Sequence, residues 1–396
     1  MSGGSEYLAI PGPSVMPDAV LRAMHRKAPN IYEGELVEMT ASIVADLNRI
    51  AFSKGHVALY VCNGHGMWEA ALCNTVSPGD KVLALQTGNF ATVWANIAES
   101  LGADVERMDF GLHAPVDPDQ LEARLRADAG HKITMVMATA TDTATSVRND
   151  IKALRAAIDA AGHPAILAID AVAAFACDEI RMEEWGVDLL ITASQKGLMT
   201  PPGVGVLFYN DRADALREGA SRVTPYWDWR PRTNPEVFYQ YFYGTAPTHH
   251  LHGLRVALDM ILDEGIEAVF ARHARLARAI WAAGEAWSAE GALRLNVPDK
   301  NARSHAVTAF SLDGEDGTRL RRWTEHEAGL TLGIGIGFAE RDHPDWHRHF
   351  RIGHMGHVNT HMIMGALGTI EAGFNALGIA HGSGALAAAS QAISEG

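Results

Sequence analysis

Between residues 57 and 209 six short apolar runs, "VALYV", "KVLAL", "ITMVMAT", "AILAID", "DLLIT" and "VGVLFY", alternate with stretches whose apolar residues recur at helical spacing. Nothing else in the chain constrains its fold as strongly. A repeated strand-then-helix order closes into an α/β layer with a largely parallel sheet, because each parallel connection needs a crossover long enough to hold a helix. Runs such as "AILAI" are apolar at every position rather than at alternate ones, so helices must cover both faces of that sheet. The predicted class is α/β, with a mainly parallel sheet between two helical layers.

The remaining segments are arranged around that layer. Residues 1–20, which include "PGPS", carry little helix or strand pattern and read as an N-terminal arm, and residues 21–263 read as the large domain. A long helical pattern from about residue 248, with a break near Gly265, leads into "HAVTAFSL" and "FRIGHMG". Residues 264–396 therefore read as a second, smaller α+β domain. The small-residue segment "GSGALAAAS" near the C-terminus is expected to fray. With 396 residues, 47% of them hydrophobic, the chain can bury cores for two domains.

The opening residues lack a basic start with an apolar core, and no run of about 18 uncharged apolar residues occurs, so neither signal peptide nor membrane span is expected. A net charge of -14 argues against nucleic-acid and anionic-membrane partners, which call for clustered basic side chains. Cys62, Cys73 and Cys177 are odd in number, lie in apolar surroundings and have no C-x-x-C spacing. They read as reduced buried residues in a reducing, cytoplasmic compartment.

Four segments carry chemistry. In "CNGHGMWEAALCN", residues 62–74, Gly64 and Gly66 allow close backbone approach, and a helix expected from near Met67 offers N–H groups to an anion such as phosphate. Taken alone, the loop reads more simply as a strand-to-helix turn. In "ILAIDAV", Asp170 ends an apolar strand, where α/β sheets place their ligands; it could pair with a protonated pyridine nitrogen or merely cap the next element. In "SQKGLMTPPG", Lys196 follows the strand "DLLIT". A partly desolvated amine there has a lowered pKa and can form a Schiff base, whereas an ordinary lysine would be solvated. In "FRIGHMG", Arg351 interrupts an apolar run, so its fork either meets a substrate carboxylate or pairs with a surface acid on an edge strand. Anchor, ring-nitrogen partner, covalent amine and carboxylate clamp are together the parts that pyridoxal 5'-phosphate needs.

In sequence order these segments, joined by "PGPSVMP", "DTATSV", "DAVAAF", "EWGVDLLITASQKGLMTPPG" and "YGTAP", resemble the class V aminotransferases of pyridoxal phosphate fold type I. The resemblance is to the serine-glyoxylate and alanine-glyoxylate group in particular, over nearly the whole chain. It implies that Lys196 is the Schiff-base lysine, that Asp170 meets the pyridine nitrogen, and that Asn63, Gly64, His65 and Gln195 surround the phosphate. It also implies that Phe90 stacks on the cofactor ring, that Thr143 lies beside it, and that Arg351 and Gly12 bind substrate. Thr245 matches a threonine that reaches the phosphate of the neighbouring subunit, which implies a homodimer with shared active sites.

The activity so implied moves an amino group from aspartate, serine or alanine to glyoxylate, giving glycine and a 2-oxo acid. A pyruvate-accepting transaminase or a lyase or hydrolase of kynureninase type shares the same parts. A cysteine desulfurase does not fit, since residues 321–350 hold no cysteine. A non-catalytic binding protein would have no use for both Lys196 and Asp170. Aspartate as donor needs a second cation, for which Arg230 and Arg232 in "PYWDWRPRTNP" are the nearest candidates by sequence order.

Overall fold

The computed structural model describes residues 4–395. Its first strand, β1 (Tyr7–Ala9), lies in the segment expected to be an unpatterned arm. The large sheet follows, with β2 (His56–Tyr60), β3 (Lys81–Gln86), β4 (Asp104–Asp109), β5 (Ile133–Thr139), β6 (Ile166–Asp170), β7 (Leu189–Ala193) and β8 (Gly205–Tyr209). They are ordered β2-β8-β7-β6-β5-β3-β4. Strands β6, β7 and β8 are buried at every residue, as double-sided coverage requires.

Strand β8 alone departs from the parallel pattern, running antiparallel to both β7 and β2. The cause is the connection from β7, residues 194–204, which is too short for a helical crossover and folds back on itself. Ser194 holds the return. Its N–H donates to the Val204 carbonyl at 2.9 Å, and its hydroxyl donates to the Pro201 carbonyl at 2.6 Å. Met199 takes a left-handed conformation (φ 52°), and Gly203 (φ 148°) completes the reversal after the two prolines. Lys196 therefore sits on a tight, braced return at the carboxyl end of β7, inside the sheet, and the Pro-Pro-Gly stop closes that return.

A second sheet contains β9 (Arg294–Leu295), β10 (Val307–Ser311), β11 (Leu330–Ile334) and β12 (His349–Gly353), in the order β1-β11-β12-β10-β9. Strand β1 pairs parallel to β11 through Tyr7↔Leu330 and Ala9↔Leu332, so residues 7–9 of the expected arm belong to this sheet. This sheet packs its own core, with Phe310, Phe350, Ile352 and Phe374 fully buried. Gly265 (φ 88°) breaks the long helical pattern into Thr248–Glu264 and Ile266–Trp287. The C-terminal segment does not fray as its composition suggested. It forms the helix Ala385–Ser394 and buries Ala385 and Ala389, because small side chains let it lie close against Ile266–Trp287. No helix among the described residues is long and apolar enough to cross a membrane.

Candidate active site

Asp170 ends β6 with its side chain buried, in line with the sequence reading of a ligand at the strand end. One carboxylate oxygen accepts the Val172 N–H at 2.7 Å and the other accepts the Trp68 indole N–H at 3.0 Å. No cation lies within ion-pair distance among the described residues. Burial raises its pKa to about 6, against the pull of those two hydrogen bonds. A carboxylate held this way is short of a positive partner.

Lys196 is buried, and its amine donates to the Pro11 carbonyl. Burial first, and then the charge of Arg351, bring its pKa down to about 8, with Asp170 opposing. The "PGPS" segment holds the lysine loop from the other side. Ser14 donates its N–H to the Gln195 carbonyl at 2.8 Å and its hydroxyl to the Lys196 carbonyl at 2.7 Å. Gly12 lies directly against the lysine side chain at φ 105°, where a Cβ would fall on the Lys196 Nζ, Cε and Cδ atoms.

Gly12→Ala should therefore push the amine aside and strain the backbone together. Since displacement of about 1 Å can cost on the order of 10²-fold in rate, we expect kcat/KM to fall by about that factor. Steady-state kinetics alongside thermal melting test this; unchanged kinetics would mean that the lysine has room to move.

Asn63, Gly64 and His65 open the helix Gly64–Thr75, which starts three residues earlier than the sequence suggested. The reason is Asn63, an N-cap whose side-chain oxygen accepts the N–H groups of His65 at 3.1 Å and Gly66 at 3.4 Å. The amide side chain thus occupies two of the donors expected for an anion. The Gly64 N–H, in the first helical turn, has no intrahelical acceptor. The His65 ring packs at 4.5 Å on Trp68, and burial lowers its pKa.

Two cavities meet at Lys196. One, of about 280 Å³, is lined by Asn63, Gly64, His65, Asp170 and Gln195. The other, of about 490 Å³, is lined by Arg351 and Arg321 among others. Gly12, Phe90, Thr143 and Lys196 line both. Phe90 is set by Asp142, whose buried carboxylate accepts the N–H groups of Phe90 (2.9 Å), Ala91 (3.1 Å) and Ala144 (3.0 Å).

Arg351 lies on β12, which has β10 and β11 on its two sides, opposite Ala309 and Gly333. It is not an edge-strand residue paired with a surface acid. It is buried and donates to the carbonyls of Ile334 (2.7 Å) and Thr143 (2.6 Å), with no carboxylate in ion-pair range among the described residues. Burial lowers its pKa to about 10.

Thr245 is exposed and lines neither cavity of this chain. Two expectations change. Arg230 is engaged by Asp214 at 2.9 Å and Glu218 at 2.7 Å, away from both cavities. Arg232 is fully buried as a structural bracket, donating to the carbonyls of Leu59, Tyr241 and Tyr226 and lying 4.1 Å over the Tyr60 ring. Neither arginine lines either cavity, and protein acceptors hold two of the three nitrogens of each, so neither is placed to meet a substrate there.

Sequence reasoning missed Trp68, Asp142, Pro11 and Arg321. Of these only Asp142 left a local signal, an acid followed by small and hydroxyl residues just after an apolar strand.

The smaller cavity fits pyridoxal 5'-phosphate. It offers a buried carboxylate lacking a cation, an amine at its mouth, and a side-chain oxygen of Gln195 that is buried without a partner. A family model described as Aminotransferase class-V matches residues 60–336. Serine-glyoxylate aminotransferase of Methylorubrum extorquens is 35% identical over 98% of this chain and 96% of that protein. L-aspartate-glyoxylate aminotransferase of Paracoccus denitrificans is 34% identical over 96% of this chain and 94% of that protein. The crystal structure of pyridoxamine-pyruvate aminotransferase from Mesorhizobium loti superposes with a TM-score of 0.88 at 25% identity, covering 100% of this chain and 99% of that one. This chain therefore belongs to the class-V aminotransferases, which are pyridoxal 5'-phosphate enzymes.

Proposed function

We propose that the enzyme transfers the amino group of a small L-amino acid to glyoxylate, releasing a 2-oxo acid and glycine. The observation that carries this is the meeting of two cavities at one lysine: a buried amine of lowered pKa faces Asp170 on one side and Arg351 on the other. Two of the relatives named above, called serine-glyoxylate and L-aspartate-glyoxylate aminotransferase, support glyoxylate as the acceptor.

When bound, pyridoxal 5'-phosphate supplies an aldehyde for the lysine amine and a pyridinium that draws electrons from the substrate α-carbon. Asp170 would hold the proton on the ring nitrogen, and Trp68 and Val172 fix the carboxylate that does so. Gly64, His65 and Gln195 would hold the phosphate, with Asn63 ordering the helix start. Phe90 would lie on the ring face and Thr143 beside it. Lys196 Nζ takes the donor α-proton; a pKa near the working pH suits an amine that must both accept and return a proton. Arg351 and the Gly12 backbone would seat the α-carboxylate common to donor and acceptor.

The proposal includes a division into a large unit to residue 263 and a smaller one from 264. It also includes a homodimer in which Thr245 reaches the partner's cofactor. Exposed Val237, Tyr239 and Tyr243 close to Thr245 support the homodimer, and three free cysteines support a cytoplasmic location.

Amino-acid formation should be compared with glyoxylate, pyruvate and 2-oxoglutarate as acceptors, which yield glycine, alanine and glutamate respectively. A tenfold better kcat/KM for either competitor would sink the glyoxylate assignment. Arg351→Ala should raise the KM of donor and acceptor alike, by on the order of 10²-fold, since truncating one partner of a buried charge pair costs about 2–5 kcal/mol. A rise for one substrate alone would mean that Arg351 does not seat the shared carboxylate.

A further inference from the structure

Arg351 is not the only cation in the larger cavity. The helix Asp316–Ala328 packs against β11 and β12 and presents Arg321 and Arg322 to the same space. Arg321 donates through Nη2 to the Thr318 hydroxyl at 2.7 Å, while its Nε is buried without a partner. Among the described residues no carboxylate forms an ion pair with Arg321 or Arg322. Glu325, exposed at the rim, also lines the cavity but stays outside ion-pair range of both. Burial, and then Arg322, lower the pKa of Arg321 against the charge of Glu325; burial lowers that of Arg351, with Asp142 opposing and the charge of Arg321 adding to the fall.

Two guanidinium groups thus feel each other across one cavity, and neither forms an ion pair with a carboxylate among the described residues. Partly desolvated like charges raise the free energy of the empty site, and an anion for each would relieve it. The two guanidinium groups approach from different elements, one from a central strand and one from a helix, so a single carboxylate on Arg351, whose Nε and Nη1 already serve the Ile334 and Thr143 carbonyls, leaves Arg321 without an anion. About 490 Å³ accommodates a substrate with a charged side chain.

We propose that Arg321, assisted by Arg322, binds the side-chain carboxylate of a dicarboxylic amino donor whose α-carboxylate rests on Arg351. The enzyme then selects amino dicarboxylates over serine and alanine, and the product of the first half-reaction is a 2-oxo dicarboxylate. This rests on the transaminase reading above and gives the second cation to Arg321 in place of Arg230 and Arg232. Glyoxylate has no side chain, so Arg321 acts on the donor alone.

The test uses cofactor-loaded enzyme with glyoxylate and four donors: aspartate, glutamate, serine and alanine. The better dicarboxylate should exceed serine and alanine in kcat/KM by at least about tenfold in the wild type. Arg321→Leu should lower the dicarboxylate-to-alanine ratio by on the order of 10²-fold, the loss expected for a buried charge partner. The KM for glyoxylate should stay within about twofold, the scatter of a contact not removed. Arg321→Lys should recover part of the ratio.

Calorimetric titration of the wild type with succinate and propionate reads the same preference without turnover, and succinate should bind more tightly. A wild type that uses serine or alanine as well as it uses either dicarboxylate, or Arg321→Leu losses equal for all donors, overturns the proposal. In either case transamination to glyoxylate survives. Failure to form glycine from any donor sinks the underlying reading instead.

Discussion

Lys196→Ala should lose turnover by on the order of 10⁴-fold or more, because one side chain serves both as the nucleophile that holds the cofactor and as the base that moves the α-proton. The variant should still bind pyridoxal 5'-phosphate, since Asp170, Gln195 and the start of the helix Gly64–Thr75 remain. Borohydride should then leave no cofactor on the chain, whereas in the wild type peptide mapping should place it on Lys196. Melting temperature should change little, as the amine makes one hydrogen bond, to Pro11, and carries a charge that burial disfavours.

The wild type adds a pH signature. An amine with a pKa of about 8 rather than 10.5 becomes neutral two to three units earlier, so the rate of covalent cofactor capture should climb to about pH 8 and then level. Capture that keeps climbing towards pH 10, or label found on another lysine, would reassign the residue.

Asp170→Asn should cost on the order of 10²–10³-fold in kcat, the scale for removing a preorganised electrostatic contact from a transition state. The amide cannot favour a proton on the ring nitrogen, so electron withdrawal from the α-carbon weakens. Stability should fall less. The Val172 N–H keeps an oxygen acceptor, but the Trp68 indole N–H then faces an NH₂ group, and leaving one buried donor unsatisfied costs about 1–3 kcal/mol. Stopped-flow half-reactions and thermal melting separate the two effects. A variant with lowered melting temperature and unchanged kcat would make Asp170 a capping residue only.

The site was largely legible along the chain, but its partners were not. Asp170 and Lys196 stood out because each ends an apolar run, and the ends of such strands converge in an α/β sheet. Arg351 stood out because a charge inside "FRIG" has to be answered by something. In contrast, "GTRLRRW" reads as the polar face of a surface helix, and only the packing of that helix on β11 and β12 turns Arg321 into the cavity. The segment "PYWDWRPRTNP" misled in the opposite way. Its aromatic and basic residues resemble a pocket lining, yet Arg232 is spent on three backbone carbonyls and Arg230 on two acids.

Periodicity alone determined the α/β layer, the break at Gly265 and the strand ends that carry Asp170 and Lys196, because those follow from how neighbouring residues alternate between apolar and polar surroundings. Tertiary structure decided that β1 joins the second sheet and seats Gly12 on the lysine. It also decided that β8 reverses, that Asn63 caps its helix, and which of the arginines line the cavity. Each of these depends on what lies opposite in space, and a buried polar group takes its meaning from the partner that packing brings to it rather than from its neighbours in the chain.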